Sequence, residues 1–168
     1  MARTFSQIGW RRMLTTVLIL MLAFVLVVGG ILLFLIEDWS RDLTRNTAET
    51  SETAENPLER PMLLHRSVQD SVELVEHAVH TLVRWEITGR EQEGDAVILH
   101  LVRTTPLWRF KDDITVRVEP VAEGTRVTAR SQSRVGKGDL GQNPRNLREL
   151  FESLRTMQRM SVPHSAAL

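Results

Sequence analysis

Between Met13 and Ile36 no side chain carries a charge, a run of about 24 residues. No other feature limits the fold so strongly. At about 1.5 Å per residue a helix of this length reaches roughly 36 Å, more than the ~30 Å hydrocarbon core of a bilayer. The run reads as a transmembrane helix. Its flanks are unequal: Arg3, Arg11 and Arg12 precede it without any acid, and Glu37 and Asp38 follow it. Positive charge beside a span tends to stay cytoplasmic, which places the N-terminus inside and residues 37–168 outside the cytoplasm. The expected location is the cytoplasmic (inner) membrane, crossed once. Trp10 and Trp39 fall near the two ends, where indole rings favour the headgroup region. The rival reading is a cleaved signal peptide, whose apolar core runs about 7–15 residues before a small-residue cleavage site. Here the run is longer and leaves through Leu35-Ile36-Glu37-Asp38-Trp39, which holds no such site.

The expected organisation is a cytoplasmic N-terminus (1–12), a transmembrane helix (13–36), a flexible linker (37–60), a folded extracytoplasmic domain (61–160) and a tail (161–168). The linker reading rests on Arg41 to Glu59, rich in Thr, Glu, Asn and Ser and nearly free of large apolar groups. The remaining ~100 residues suffice for one modest core. Net charge is zero, so no bulk attraction to nucleic acid is expected. There is no Cys and no Tyr, which removes disulfides, thiolate chemistry, zinc–thiolate sites and phenol catalysis. No cofactor motif is recognised, and no cofactor or metal is expected.

Within the domain, Ser67 is placed to cap a helix, with Asp70 three residues on. Val68, Val72, Val75, Val79 and Leu82 then recur at helical spacing. Four strand-like segments follow. Trp85 and Ile87 alternate with polar residues in 84–88, and 96–103 (AVILHLVR) is apolar on both faces, as an inner strand would be. Ile114, Val116 and Val118 alternate in 113–119; Val127, Ala129, Ser131 and Ser133 alternate in 125–133. Pairing Val118 with Val127 and Val116 with Ala129 puts both apolar rows on one face, and a one-residue slip would reverse a row. That register sets Asp112 opposite Ser133 and Asp113 opposite Gln132, and suggests an outer-face ion pair between Asp113 and Arg130. Asn143 fits an N-cap and Pro144 a first helical position, before Leu147, Leu150, Phe151 and Leu154. The expected fold is α+β: after the span, a helix, a four-stranded antiparallel sheet and a helix.

Residues 130–143, R-S-Q-S-R-V-G-K-G-D-L-G-Q-N, leave a strand, cross a glycine-bearing loop and enter a helix. Glycines let backbone amides approach a ligand, helix N-termini favour anions, and arginine offers a planar fork to carboxylate or phosphate. The candidate ligand-binding residues are Arg130, Ser131, Ser133, Arg134, Lys137, Asp139 and Asn143. The structural alternative is that Asp139 holds Arg134 or caps amides, and that Ser131 and Ser133 bond strand ends. The loop is neither a Walker loop nor a G-x-S-x-G elbow.

The stretch Phe110-Lys111-Asp112-Asp113 with Arg117, then Arg130-Ser131-x-Ser133-Arg134-Val135-Gly136, then Asp139-Leu140-Gly141-x-Asn143, resembles the signature of domain-of-unknown-function family 1499. The family occurs in bacteria and plastids, and the resemblance covers about residues 61–159. It implies that these positions matter to the fold or to a shared site, and it implies no activity.

Three other sets draw notice. His77 and His80, with Glu73 and Glu76, share a helix face and read as a solvated face rather than metal ligands. His100 reads as a hydrogen-bonded buried imidazole. Trp108, before Arg109 and Phe110, reads as core, with an exposed stacking platform as the alternative. Asp112 and Asp113 point to opposite faces of a strand and cannot act on one atom, which disfavours paired-acid hydrolysis. The functional expectation is a non-enzymatic envelope module, with the lipid bilayer as one partner and an envelope protein or anionic ligand as another. The alternative is an enzyme using Ser133 or Asp139 assisted by Arg134.

Overall fold

The computed structural model describes residues 4–35 and 39–161. The chain divides into two compact units, Met1–Trp39 and Ser40–Leu168. In the first, helix α1 spans Thr4–Leu35. Its stretch Gly9–Leu33 has a mean hydropathy of 3.0 and no buried part, so it is long and apolar enough to cross a membrane. Thr15 and Thr16 return their hydroxyls to the carbonyls of Arg11 and Arg12, so these two polar groups are satisfied within the helix. Arg3, Ile36, Glu37, Asp38 and the tail from residue 162 lie outside the described residues.

The second unit runs α2 (Trp39–Thr44), β1 (Thr47–Glu49), a 3-10 turn (Pro57–Glu59), β2 (Met62–Leu64), α3 (Val68–His80), β3 (Trp85–Glu93), β4 (Ala96–Thr104), β5 (Lys111–Val121), β6 (Gly124–Ser133) and α4 (Gln142–Ser161). The antiparallel sheet is ordered β1-β6-β5-β4-β3, and β2 pairs with the other half of β6. It thus has six strands where the alternation pattern marks four. The two extra strands are three residues each, too short to show a period, and they are recognised by their pairing and not by their side chains.

Those short strands also overturn the flexible linker. Thr47–Glu49 lies along Arg130–Gln132. Thr50 N–H donates to the Ala129 carbonyl (2.9 Å), and Ser51 N–H to that of Glu59 (2.9 Å). Glu59 meets Arg148 of α4 at 3.0 Å with both side chains largely covered. The segment is fastened by main-chain bonds and an ion pair, which a composition argument based on apolar burial does not see.

The β5–β6 register is the expected one, including Val118 with Val127, Val116 with Ala129 and Asp112 with Ser133. Ser67 caps α3 through its Oγ, which accepts from Asp70 N–H at 3.1 Å. Val72, Val75 and Val79 of α3 are fully buried, as are Leu147, Leu150, Phe151 and Leu154 of α4. They pack on one sheet face against Leu99, Leu101, Ile114, Val116, Val118 and Val127. At Gly124 the chain turns with φ +137°, and a side chain there would run into the Leu64 carbonyl, so glycine lets β2 close on β6.

The opposite face carries no covering layer among the described residues. Its β4 residues Ile98 and Val102 are nonetheless buried, flanked by Glu91 and Arg117, and by Glu86 and Asp113, whose stems shield them. His100 sits on this face half-exposed, its Nε2 3.4 Å from Glu91 Oε1, and is not a core imidazole. β3 forms the free edge and carries a register shift between Ile87 and Gly89.

Candidate functional site

The Arg130–Asn143 segment sorts its residues by the pleat. Ser131 and Ser133 occupy the β6 row that faces the helices and are buried, whereas Arg130 and Gln132 point to the open face. Asp112 stands opposite Ser133 on the same inner row, 1% exposed. Into this polar end of an otherwise apolar row α4 inserts Asn143 and Asn146, both 0% exposed.

Their bonds form one closed network. Ser131 Oγ donates to Asn143 Oδ1 at 2.6 Å. Asn143 Nδ2 donates to the Asn46 carbonyl at 2.7 Å and to Ser133 Oγ at 3.1 Å. Asn146 Nδ2 donates to Asp112 Oδ2 at 2.9 Å and to Ser131 Oγ at 3.0 Å, and its Oδ1 accepts from Gln142 Nε2 at 2.7 Å. Buried polar groups are tolerated only when paired in this way. The network clamps β1's leading residue, β5, β6 and α4 together.

Asp139 caps α4. Its Oδ1 accepts from Gly141 N–H at 2.9 Å and its Oδ2 from Asn143 N–H at 2.7 Å. Capping therefore comes from Asp139 and not from Asn143, which lies inside the first turn; Pro144 follows it there, where its missing N–H does no harm. The Asp42 carbonyl accepts from both Asp139 N–H (3.1 Å) and Leu140 N–H (3.0 Å), so the beginning of the domain is built into this loop. Gly141 has φ +74°, and a Cβ there would lie 2.7 Å from Asp42 Oδ2.

Arg134 grips Asp113 with two bonds, Nε to Oδ2 at 2.9 Å and Nη2 to Oδ1 at 2.7 Å. This replaces the expected Asp113–Arg130 pair: residue 134 lies just past the strand end, where a long side chain can curl onto the open face, while Arg130 Nη2 contacts Gln132 at 3.4 Å. The Arg134 bonds hold the Asp113 carboxyl below the usual carboxylate range, partly opposed by burial, and raise Arg134 in turn. A parallel cluster joins Arg117 to Glu119 and Glu93, each at 2.9 Å, which raises the guanidinium pKa.

Of the seven candidates, Ser131, Ser133, Asp139 and Asn143 converge, but on one another; Arg130 and Arg134 lie on the open face, and Lys137 is exposed in the loop. Sequence reasoning missed Asn46, Asp112 and Asn146 as members. Asn146 follows Asn143 by three residues on a stripe otherwise made of leucines, and Asp112 breaks the apolar row of β5; both breaks were visible. Asn46 takes part through its carbonyl, which leaves no signature. Among the described residues no group of three His, Asp or Glu side chains could hold a metal ion. A shallow depression of about 420 Å³ lies elsewhere, between His65, Asp70, Glu73 and His77.

The end of the sheet beside this network is different. Thr105 and Phe110 close the β4–β5 hairpin: Thr105 N–H donates to the Phe110 carbonyl, and Phe110 N–H to Thr105 Oγ1, both at 2.8 Å. Leu107, Trp108 and Phe110 are exposed on it, Trp108 at 71%, with the two aromatic rings stacked at 6.5 Å. Trp108 is therefore a surface platform and not core. At this end of the sheet Arg84, Arg109, Lys111 and Lys137 are exposed: Arg109 and Lys111 belong to the hairpin, the Arg84 carbonyl accepts from Thr104 N–H beside it, and Lys137 lies in the loop that leaves β6. Most neighbouring acids are engaged, Asp112 by Asn146, Asp113 by Arg134, Asp139 by amides and Glu149 by Arg103, while Glu86 on β3 is exposed.

Residues 40–154 match the family described as a protein of unknown function, domain-of-unknown-function family 1499. That span covers most of the chain, which belongs to this family. It begins at Ser40, 21 residues before the domain boundary at 61 expected from composition, in accord with the folded 40–60 segment. No curated protein matches the chain.

Proposed function

We propose that this member of family 1499 is a single-pass, non-enzymatic binding module of the cell envelope, with its N-terminus in the cytoplasm and its domain outside, and that it takes an anionic ligand at the cationic end of its sheet. The arginines before the span and the acids after it support the topology. The observation that carries the binding reading is the distribution of charge: a chain of zero net charge places the exposed cations Arg84, Arg109, Lys111 and Lys137 at one end of its sheet, where Asp112 and Asp113 are bonded to Asn146 and Arg134 and Glu86 is the exposed acid beside them. Such a patch concentrates anions. The enzymatic alternative draws less support. Ser133 Oγ is bonded to the Asn143 amide, the Asp112 carboxylate opposite it accepts from Asn146, and Asp139 has both oxygens on backbone amides.

Two measurements test this. A C-terminal reporter active only outside the cytoplasm is expected to be active, and activity of a cytoplasm-only reporter overturns the topology. Inorganic phosphate titrated into the full chain in neutral micelles is expected to shift the amide resonances of Arg109, Lys111 and Lys137 before those of Glu91 and Glu93. Equal shifts at both ends of the sheet, or none, remove the proposed site.

A further inference from the structure

We propose that the hairpin tip at Thr105–Phe110 docks on the chain's own bilayer, with Leu107, Trp108 and Phe110 in the headgroup layer and Arg84, Arg109, Lys111 and Lys137 against anionic lipid phosphates. This inference rests on the anionic-ligand reading above and names the ligand. Three observations carry it.

The first is chemistry. Trp108 and Phe110 are stacked and exposed, Leu107 is 78% and Val135 58% exposed, and cations surround them. Apolar and aromatic groups ringed by Lys and Arg are the composition of an interfacial anchor. A soluble anion would need the cations alone and gives no reason for the bare tryptophan.

The second is position. The domain starts at Ser40, and its residues 42 and 46 bond to residues 139, 140 and 133 at the end of β6. That end of the sheet is also where β4 stops at Thr104 and β5 begins at Lys111, so it bears the hairpin. The chain thus enters the folded domain at the end of the sheet that bears the tip. A domain tethered to lipid through that end meets it at high effective concentration, so weak individual contacts suffice.

The third is polarity along the sheet. At the far end, by the β3–β4 and β5–β6 turns, Arg117 takes up Glu93 and Glu119, and Glu91, Asp95 and Glu123 stand exposed beside them. An anionic surface therefore attracts the tip and repels the opposite end.

The absence of cysteine makes the test clean. Leu107→Cys and, at the far turn, Glu123→Cys are each labelled with a nitroxide in the full chain. The chains are reconstituted in phosphatidylcholine vesicles with and without phosphatidylglycerol. In the anionic vesicles the label at 107 is expected to gain several-fold in oxygen over aqueous-nickel accessibility relative to the label at 123. Removing Arg109 and Lys137 together (Arg109→Ala, Lys137→Ala) is expected to weaken docking by about fivefold per residue. Equal aqueous exposure of the two labels overturns the inference, and so does identical docking in the neutral vesicles. Inorganic phosphate, added to the same samples, separates the two proposals. A phosphate response without lipid contact keeps the anion site and removes the lipid, and silence in both arms removes both.

Discussion

Replacing Asn143 with alanine tests whether the buried polar network is a clamp. The side chain donates to Asn46 and Ser133 and accepts from Ser131, all around a position with no solvent exposure. Its loss leaves the Ser131 hydroxyl without an acceptor, a cost of about 1–3 kcal/mol for a buried orphan. The Asn46 carbonyl still accepts from Ser133 N–H at 3.0 Å, so it and Ser133 Oγ each lose roughly 0.5–1 kcal/mol. The sum is about 2–5 kcal/mol, a large share of the ~5–15 kcal/mol that holds a domain together. At roughly 3–5 °C per kcal/mol for this size, Tm falls by about 6–25 °C. Urea unfolding of the full chain in mild detergent, followed by loss of the sheet signal in circular dichroism, measures it. Arg130→Ala, in the same segment but on the open face, is expected to stay within about 0.5 kcal/mol. A loss below about 1 kcal/mol for Asn143→Ala, or an equal loss for both variants, refutes the clamp.

Asp113→Asn removes the Arg134 pair. Because the Asp113 pKa is depressed in the folded state, the pair's contribution is present above the unfolded value near 4 and disappears as pH falls through the folded one. For so exposed a pair the gain is at most about 1 kcal/mol. Urea midpoints of parent and variant are expected to differ at pH 7 and to converge below pH ~4; a constant difference contradicts this. Gly141→Ala, at φ +74° and against Asp42, is expected to cost about 2 kcal/mol or more, read as a drop in the thermal midpoint; an unchanged midpoint contradicts the fit. A fragment starting at residue 61 is expected to show no dispersed amide spectrum, whereas one starting at Ser40 does, because only the latter keeps β1, Asn46 and the Glu59–Arg148 pair.

The β5–β6 register was legible because a slip of one residue exposes Val116 and Val118, which is a large penalty on a simple pattern. β1 and β2 were not, because three residues cannot show alternation and their bonds belong to the main chain. Composition misled over 41–59 for the same reason: it counts apolar burial and is blind to carbonyls and amides. Within the site, the inward direction of Ser131 and Ser133 followed from the pleat. The choice of Arg134 over Arg130 as partner of Asp113 depends on where the chain bends after Ser133, which no periodicity encodes.

One consequence concerns neighbours of the same kind. β1 and β2 together seal the β6 rim, which leaves β3 as the strand whose outer side has no mate. A flat open strand invites ribbon growth by pairing with a copy of itself. Here the kink between Ile87 and Gly89 breaks the row of free amides, and the stretch Arg90-Glu91-Gln92-Glu93 brings two acids to face those of an approaching twin. Crowding therefore finds no straight, uncharged seam on which to polymerise.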